Sequence, residues 1–576
     1  RFIDTFNDWC HRNNVQSRMQ AYGRGMHPLE ASMEIDIPEC ETWLFKDIGR
    51  EYPNTGLKGR GPRMCNKYVS SGAVLAGKKI VSCEEITNTE MAFMATLENI
   101  KVAGDQSNIS GVNHSILHGF NYSPPEAEFP GWIRYGAYFN ERNTWWPYFN
   151  KWANYKARIS FLLQNANPQA NIAVLQPLID LWLKMGPQRD PFPQKWYPEY
   201  QNNLWEAIHQ NGGGCDYVSE NIIKKSTFKL GKMHFGERSY STILLPEIET
   251  MDVDVAEALV AFVNSGGKIV FIEKVPFKST AYDNVEAEDA KVKEIISDLL
   301  NNKKDNVVRY PAPTGDLIKW YGKLQDELAL KPYVKLNKAH KYLNQSSYLI
   351  NENPVFFLAN TSLSEHISVK AEFQINEGLF PWIWNPETGE RKRYSYNDND
   401  RSLDLEIPHA SSVLIVFEKN TEGEQLQRFN FKQSGKEITG EWQLQLNHMN
   451  GEKKRIQIET LSDLLEIDQT KSFAGEVIYE KTITYNKMDS QYLDLGNVQG
   501  ISELILNNEL IGTRWYGAHI YDIKNKLKEG PNQISIKLTT ITGNYLKSLK
   551  DNKVAQNWTR HQDNYPMGIM GPVRLV

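Results

Sequence analysis

The chain has 576 residues, a formal net charge of −5, 40% hydrophobic residues and 23% charged ones. That length is too great for one core, and at ~150 residues per domain it predicts three or four units. Mild acidity gives no reason to expect nucleic acid or an anionic membrane as partner, and no run of about 18 apolar residues could span a bilayer.

The first residue is Arg1 rather than Met, with no charged-then-apolar leader, and Phe2, Phe6 and Trp9 already give an amphipathic helical pattern. The sequence therefore reads as a fragment or processed form of a longer protein. Strand patterns follow at 17–22, 79–83 and 111–118, and helical ones at 88–102 and 148–164. Polar and aromatic residues gather just after each strand: Gly23 and Arg24, Glu84 and Glu85, and 118–122. Alternating βα units with chemistry at strand C-termini predict part of a (β/α) barrel over 1–165, with an open doubly wound sheet as the alternative.

Between Met33 and Trp43 four acids (Glu34, Asp36, Glu39 and Glu41) fall within eight residues, broken up by Pro38 and apolar residues. Read as a loop, this segment coordinates a cation, shares protons, or turns its acids in different directions. A polar loop facing water is the bland alternative. Glu84, after a buried strand, is a candidate ligand or catalytic group, and one of Glu84 and Glu85 is expected to face away. His114 and His118 share one face of a strand; a sugar contact is expected of His118, and a core role is equally open for His114. Trp145 and Trp146 either wall a pocket or pack the barrel rim. The 15 Trp and 27 Tyr suit sugar rings, which have apolar faces and polar edges.

A second α/β block is expected over 166–310, with strands at 171–175, 241–245 and 268–273 and helices at 200–210 and 252–265, the latter stopped by Gly266 and Gly267. Cys215 lacks the strand–elbow–helix context of a nucleophile and reads as structural. The five cysteines are an odd number without a CxxC pair, so neither a disulfide framework nor a zinc site is indicated. Short alternating strands predict a β-sandwich over 311–422 and a second β-rich unit over 423–576. In the latter, Trp515, Tyr516 and His519 read as a domain contact more than a sugar-binding edge.

Taken together, Arg18-Met19-Gln20-Ala21-Tyr22-Gly23, the 36–42 segment, Val81 to Thr87 and Gly111 to Phe120 resemble, in order and spacing, the α-L-rhamnosidases of glycoside hydrolase family 106. The resemblance implies a multidomain α/β plus all-β protein: a partial (β/α)8 barrel, an amidotransferase-like α/β domain, a β-sandwich and a C-terminal galactose-binding-like jelly roll. It implies an inverting exo-hydrolase removing terminal L-rhamnose from pectic oligosaccharides, with calcium at the sugar. The catalytic base is then expected at Glu39, with Glu84 as the second catalytic candidate. Sugar contacts are expected at Tyr22, Glu41, His114, His118 and Trp145, and calcium ligands at Asp36 and Glu41. An inverting pair stands roughly 6.5–9.5 Å apart to admit a water, so Glu39 and Glu41 are not the obvious opposed pair. The general acid is expected N-terminal to Arg1, in an Asp-Ser-Trp-Glu-type motif absent from this chain. The missing N-terminal portion of the same protein is thus an expected partner, beside the oligosaccharide. Family habit implies a bacterial periplasmic or secreted enzyme. A glycosidase of other specificity (β-galactosidase-like) and a non-catalytic carbohydrate-binding fragment are the alternatives.

Overall fold

The computed structural model describes residues 2–22, 26–44, 63–88, 91–132, 137–186, 197–302, 305–396, 401–485 and 490–576. The first unit alternates helices and strands: α1 (Phe2–Arg12), β1 (Arg18–Met19), α2 (Pro28–Glu34), β2 (Ile37–Trp43), α3 (Arg63–Leu75), β3 (Ser82–Thr87), α4 (Leu97–Ile109), β4 (His114–Leu117) and α5 (Phe149–Gln164). The four strands are parallel and lie in the order β1-β2-β3-β4. A strictly sequential order is what repeated right-handed βα crossovers give when every helix stays on one face; a doubly wound sheet reverses direction at a switch point.

Local signals explain the element ends. Pro28 opens α2, where the His27 ring accepts from the Glu30 amide. Thr96 and Asn99 form a reciprocal capping box, so the helix expected over 88–102 begins at Leu97 instead. The segment expected to be a loop is strand β2. There Cys40 packs with Cys83 and Val112 against Cys65, Val69 and Ala73 of α3. Because side chains alternate along a strand, that packing turns Glu39 and Glu41 to the opposite face, away from the helices.

The second block holds five parallel strands: β5 (Ile172–Leu175), β6 (Cys215–Val218), β7 (Thr242–Pro246), β8 (Lys268–Ile272) and β9 (Val307–Tyr310), in the order β9-β8-β7-β5-β6. The order reverses between β5 and β7, as in a doubly wound sheet. Its strands read as near-continuous apolar runs because both faces are covered. Cys215 is buried in β6, and burial raises its thiol's pKa to about 12, as a structural cysteine requires. Helix α6 (Gln201–Gln210) packs against α7 (Leu317–Glu327), so the helical layer continues past residue 310, where short strands were expected.

Antiparallel sheets follow. Val334–Leu336, Ile367–Phe373 and Ser402–Ile407 pack through Phe356, Phe373 and Phe417 on a sheet that includes Asn353–Asn360 and Ser412–Glu418. The C-terminal unit centres on a six-stranded antiparallel sheet whose longest pair joins Gly475–Tyr485 to Gly530–Thr539. It packs on the first unit: the Gly517 amide donates to Glu98 Oε2 of α4 at 2.8 Å. Trp515 and Tyr516 both donate to Glu387, and Trp515 and His519 are buried, so these residues hold domains together.

Candidate functional site

The C-terminal ends of β2, β3 and β4 bring charged groups together. Glu41 is the register partner of Glu84, and Glu84 of Ile116, so the two acids sit side by side on the helix-free face. Glu85 points the other way. It is fully buried and takes Lys156 of α5 at 2.9 Å, an ammonium that also bonds the Gly104 carbonyl at 3.0 Å. The expected division of that glutamate pair between two faces is thus observed.

His118, just past β4, places Nδ1 2.8 Å from Glu84 Oε1 and 3.0 Å from Thr87 Oγ1. Gln20 donates to Glu84 Oε2 at 2.8 Å, and Tyr22 in turn donates to Gln20 Oε1 at 3.1 Å. The hydrogen bond from His118 holds the Glu84 carboxyl below the usual range, while Glu84 raises His118 above the ordinary histidine value. Glu41 behaves oppositely: burial, then the charge of Glu84, pushes it up to about 7 against the weaker pull of Trp43, His118 and Thr87. Neighbouring carboxyls with pKa values driven apart mark a site able to hold one proton and one negative charge at neutral pH.

The backbone supports this arrangement. The β2–β3 register shifts between Glu41 and Trp43, a bulge of the kind that re-aims side chains beside active sites. Ile86 has φ 66°, a strained value for a β-branched residue, and its amide is held by Thr42 Oγ1 at 3.1 Å.

The remaining sequence candidates divide. Glu39 lies lower on the same face, where Ser82 donates to its Oε2 at 2.7 Å and Arg18 Nε stands 3.2 Å away. His114 is half-buried and pairs with Ser82 in register, at the level of Glu39. Asp36 precedes β2, at the other end of the strand from Glu41, and accepts from the Ser17 amide and hydroxyl and from His11. Five residues of extended chain span ~16 Å, so Asp36 and Glu41 cannot bind one ion, which corrects their expected pairing at calcium. The tyrosine ring of Tyr22 is buried with Cys65 and Val69, leaving only its hydroxyl facing the site. Trp145 is 1% exposed, donates to the Ala95 carbonyl and packs on Phe139 and Phe149, so among the described residues it belongs to the core and shows no face to a sugar. Gly23 and Arg24, expected among the polar residues just after the first strand, lie outside the described residues. Gln20, Trp43 and Thr87 were missed; a polar Gln20 in the Arg18–Tyr22 strand pattern was the signal for the first.

Calcium takes six to eight oxygen ligands. Among the described residues no group of three or more His, Cys, Asp or Glu side chains could hold a metal ion. Three side-chain ligands for such an ion are therefore not assembled among the described residues.

The α-L-rhamnosidase family model of glycoside hydrolase family 106 matches residues 1–398. The structure is similar to that of the rhamnosidase from Novosphingobium sp. PP1Y, with a TM-score of 0.71 over 99% of this chain and 54% of that one, at 20% identity. A putative beta-glucuronidase from Formosa agariphila is 24% identical over 445 residues, covering 74% of this chain and 33% of that protein. The chain thus spans about half the length of the solved rhamnosidase and a third of the curated relative. With the family model matched over more than two-thirds of its length, including every strand of the site, the chain belongs to the glycoside hydrolase family 106 α-L-rhamnosidases.

Proposed function

We propose that the chain carries the base-bearing half of an α-L-rhamnosidase active site, with Glu84 as general base. The observation that carries this reading is the Glu84 carboxylate held ionised by His118 and Gln20 at strand C-termini, beside the proton-retaining Glu41. Glu84 takes a proton from water as the water oxygen attacks the anomeric carbon, and the glycosidic oxygen leaves after protonation by an acid on the opposite face. His118 keeps Glu84 ionised and Gln20 fixes its other oxygen, while each oxygen keeps a lone pair for the water. Protonated below about pH 7, Glu41 donates to a sugar hydroxyl. Glu39, engaged by Arg18 and Ser82, shapes the floor beneath them.

Adjacent strands stand ~4.8 Å apart, so Glu41 and Glu84 share one side of the sugar and the opposed acid comes from a non-adjacent strand. We place that acid in further barrel strands of a longer polypeptide, with the four parallel strands here forming half of a (β/α)8 barrel. Exposed Phe120, Tyr122 and Trp132 follow β4 and suit the apolar faces of further sugars, as an exo-acting enzyme on pectic oligosaccharides requires. The 24% identical glucuronidase-named relative sets the competing specificity. Paired assays of the full-length protein on aryl α-L-rhamnoside and aryl β-D-glucuronide decide between them: rhamnose release supports the reading, glucuronate release alone refutes it.

A further inference from the structure

Helix α5 and the antiparallel sheet around Phe380–Trp384 border an open groove of about 440 Å³. Lys156 of the same helix reaches inward to Glu85, whereas Glu84 lies on the far, helix-free face of the sheet. A helix and a sheet therefore separate the groove from the candidate site. Leu162, Leu414 and Trp384 give it an apolar floor. Phe161 stands at the rim 73% exposed, whereas Trp152 and Tyr155 of the same helix are buried. Asn154, Arg158 and Phe161 follow one another at four- and three-residue spacing, so they share one face of α5.

Arg158 is held in place by the turn at 385–390. Its Nη1 donates to the Pro386 and Glu387 carbonyls at 3.1 and 2.7 Å. A Cβ on Gly389 would stand 3.3 Å from Arg158 Nε, so the guanidinium lies close on a turn that carries glycine there. The turn is fixed from behind, where Glu387 accepts from Trp515 at 2.9 Å. Both bonds of Arg158 thus go from one nitrogen to neutral acceptors, and among the described residues it has no carboxylate partner. The donors on Nε and Nη2 are left for a ligand. Arg391, across the groove, differs: it pairs with Glu418 at 3.3 Å and lies 5.5 Å from the Trp384 ring centre. No acidic side chain lines the groove. Asn385 spends its side-chain oxygen on the Glu387 amide at 2.9 Å, which leaves its amide protons. The open polar atoms are thus mainly donors, in a chain of net charge −5.

A ligand has to meet both halves of this surface. A small inorganic anion would answer Arg158 but leave Phe161 in water. A neutral sugar would cover Phe161 but leave the guanidinium without a counter-charge. A sugar ring bearing a carboxylate does both, with its apolar face on the phenyl ring and its planar carboxylate on two nitrogens of the guanidinium. We propose that the groove is a second, non-catalytic saccharide site that binds an acidic sugar residue, its carboxylate on Arg158 and its ring on Phe161. The volume falls within the range of small-ligand sites. Binding here is independent of which acid serves as the general base.

Calorimetric titration of the full-length protein with trigalacturonate, maltotriose and inorganic sulfate tests this. Trigalacturonate should bind, about tenfold more weakly in Arg158→Met and about fivefold more weakly in Phe161→Ala. Affinity should be kept in Glu84→Gln, and both groove variants should turn over an aryl α-L-rhamnoside as wild type does. Phe161→Ala leaves the 385–390 turn untouched and keeps the test open if Arg158→Met disturbs it. No binding of trigalacturonate, equal binding of maltotriose, or sulfate binding as tightly as trigalacturonate overturns the proposal. So does an affinity unchanged in both variants. A dimer that dissociates on Phe161→Ala would assign the groove to a second copy of the chain and overturn the proposal as well.

Discussion

His118 Nδ1 stands 2.8 Å from Glu84 Oε1, and each residue favours the other's charged form: Glu84 raises the imidazole above its ordinary value and His118 lowers the carboxyl. Two residues from successive strands thus form an ion pair at the mouth of the sheet. Site chemistry and pH dependence both follow from that contact.

The sign of the pH effect follows from the two directions. Raised above its ordinary 6.5, His118 contributes stability that is complete below that value and is lost as pH rises through its folded pKa. Lowered from 4.5, Glu84 contributes stability present above that value and lost as pH falls through its folded pKa. The melting-temperature gap between wild type and His118→Gln should therefore be widest near pH 5–6 and narrow on both sides. A gap independent of pH would mean the pair is not charged.

Glu41 gives the opposite slope. Pushed from 4.5 to about 7, it keeps a proton in the fold that the unfolded chain releases, so stability declines as pH climbs between those values. Glu41→Gln should flatten that decline. In Glu84→Gln, with the neighbouring negative charge gone, the Glu41 carboxyl band in infrared spectra should titrate at a lower pH than in wild type.

The site was only partly legible in the sequence, for reasons visible in particular residues. Alternation and strand-end chemistry located β4 and α5 and the sense in which Glu84 and Glu85 diverge, but β3 runs Ser82–Thr87 rather than 79–83, so both glutamates lie within the strand and not after it. The 33–43 segment misled because its acids and Pro38 look like loop chemistry. In a parallel strand one face can carry Glu39 and Glu41 while Cys40 packs on a helix, and only the packing of α3 reveals which face is which. Trp145 misled for a related reason: an aromatic cluster reads the same whether it lines a pocket or fills a core. A polar Gln20 within a strand pattern is a local signal, but its partner Glu84 lies 64 residues away and cannot be read from it.

Behind the site, Lys156 and Glu85 form a buried ion pair that fixes β3 on α5. Removing one partner from such a pair costs about 3–5 kcal/mol because the other charge is left stranded. Lys156→Met should show that loss in urea melts, and Lys156→Met/Glu85→Leu should recover most of it. A double variant no better than the single would place the cost in packing alone.

Trp145→Ala removes a fully buried indole and its hydrogen bond, and should cost about 3–5 kcal/mol. Trp146, partly buried and stacked 5.1 Å from Phe149, should cost clearly less on the same substitution. Comparable losses in chemical denaturation would contradict the assignment of Trp145 to the core.

The most direct test of the account compares the initial rates of full-length wild type, Glu84→Gln and Glu39→Gln on an aryl α-L-rhamnoside, with folding checked by circular dichroism. Loss of a general base costs roughly 10²–10⁴-fold, and we expect that loss in Glu84→Gln but a much smaller one in Glu39→Gln. Near-wild-type turnover by Glu84→Gln, with the large loss at Glu39→Gln instead, would contradict the account and move the base from β3 to Glu39 on β2.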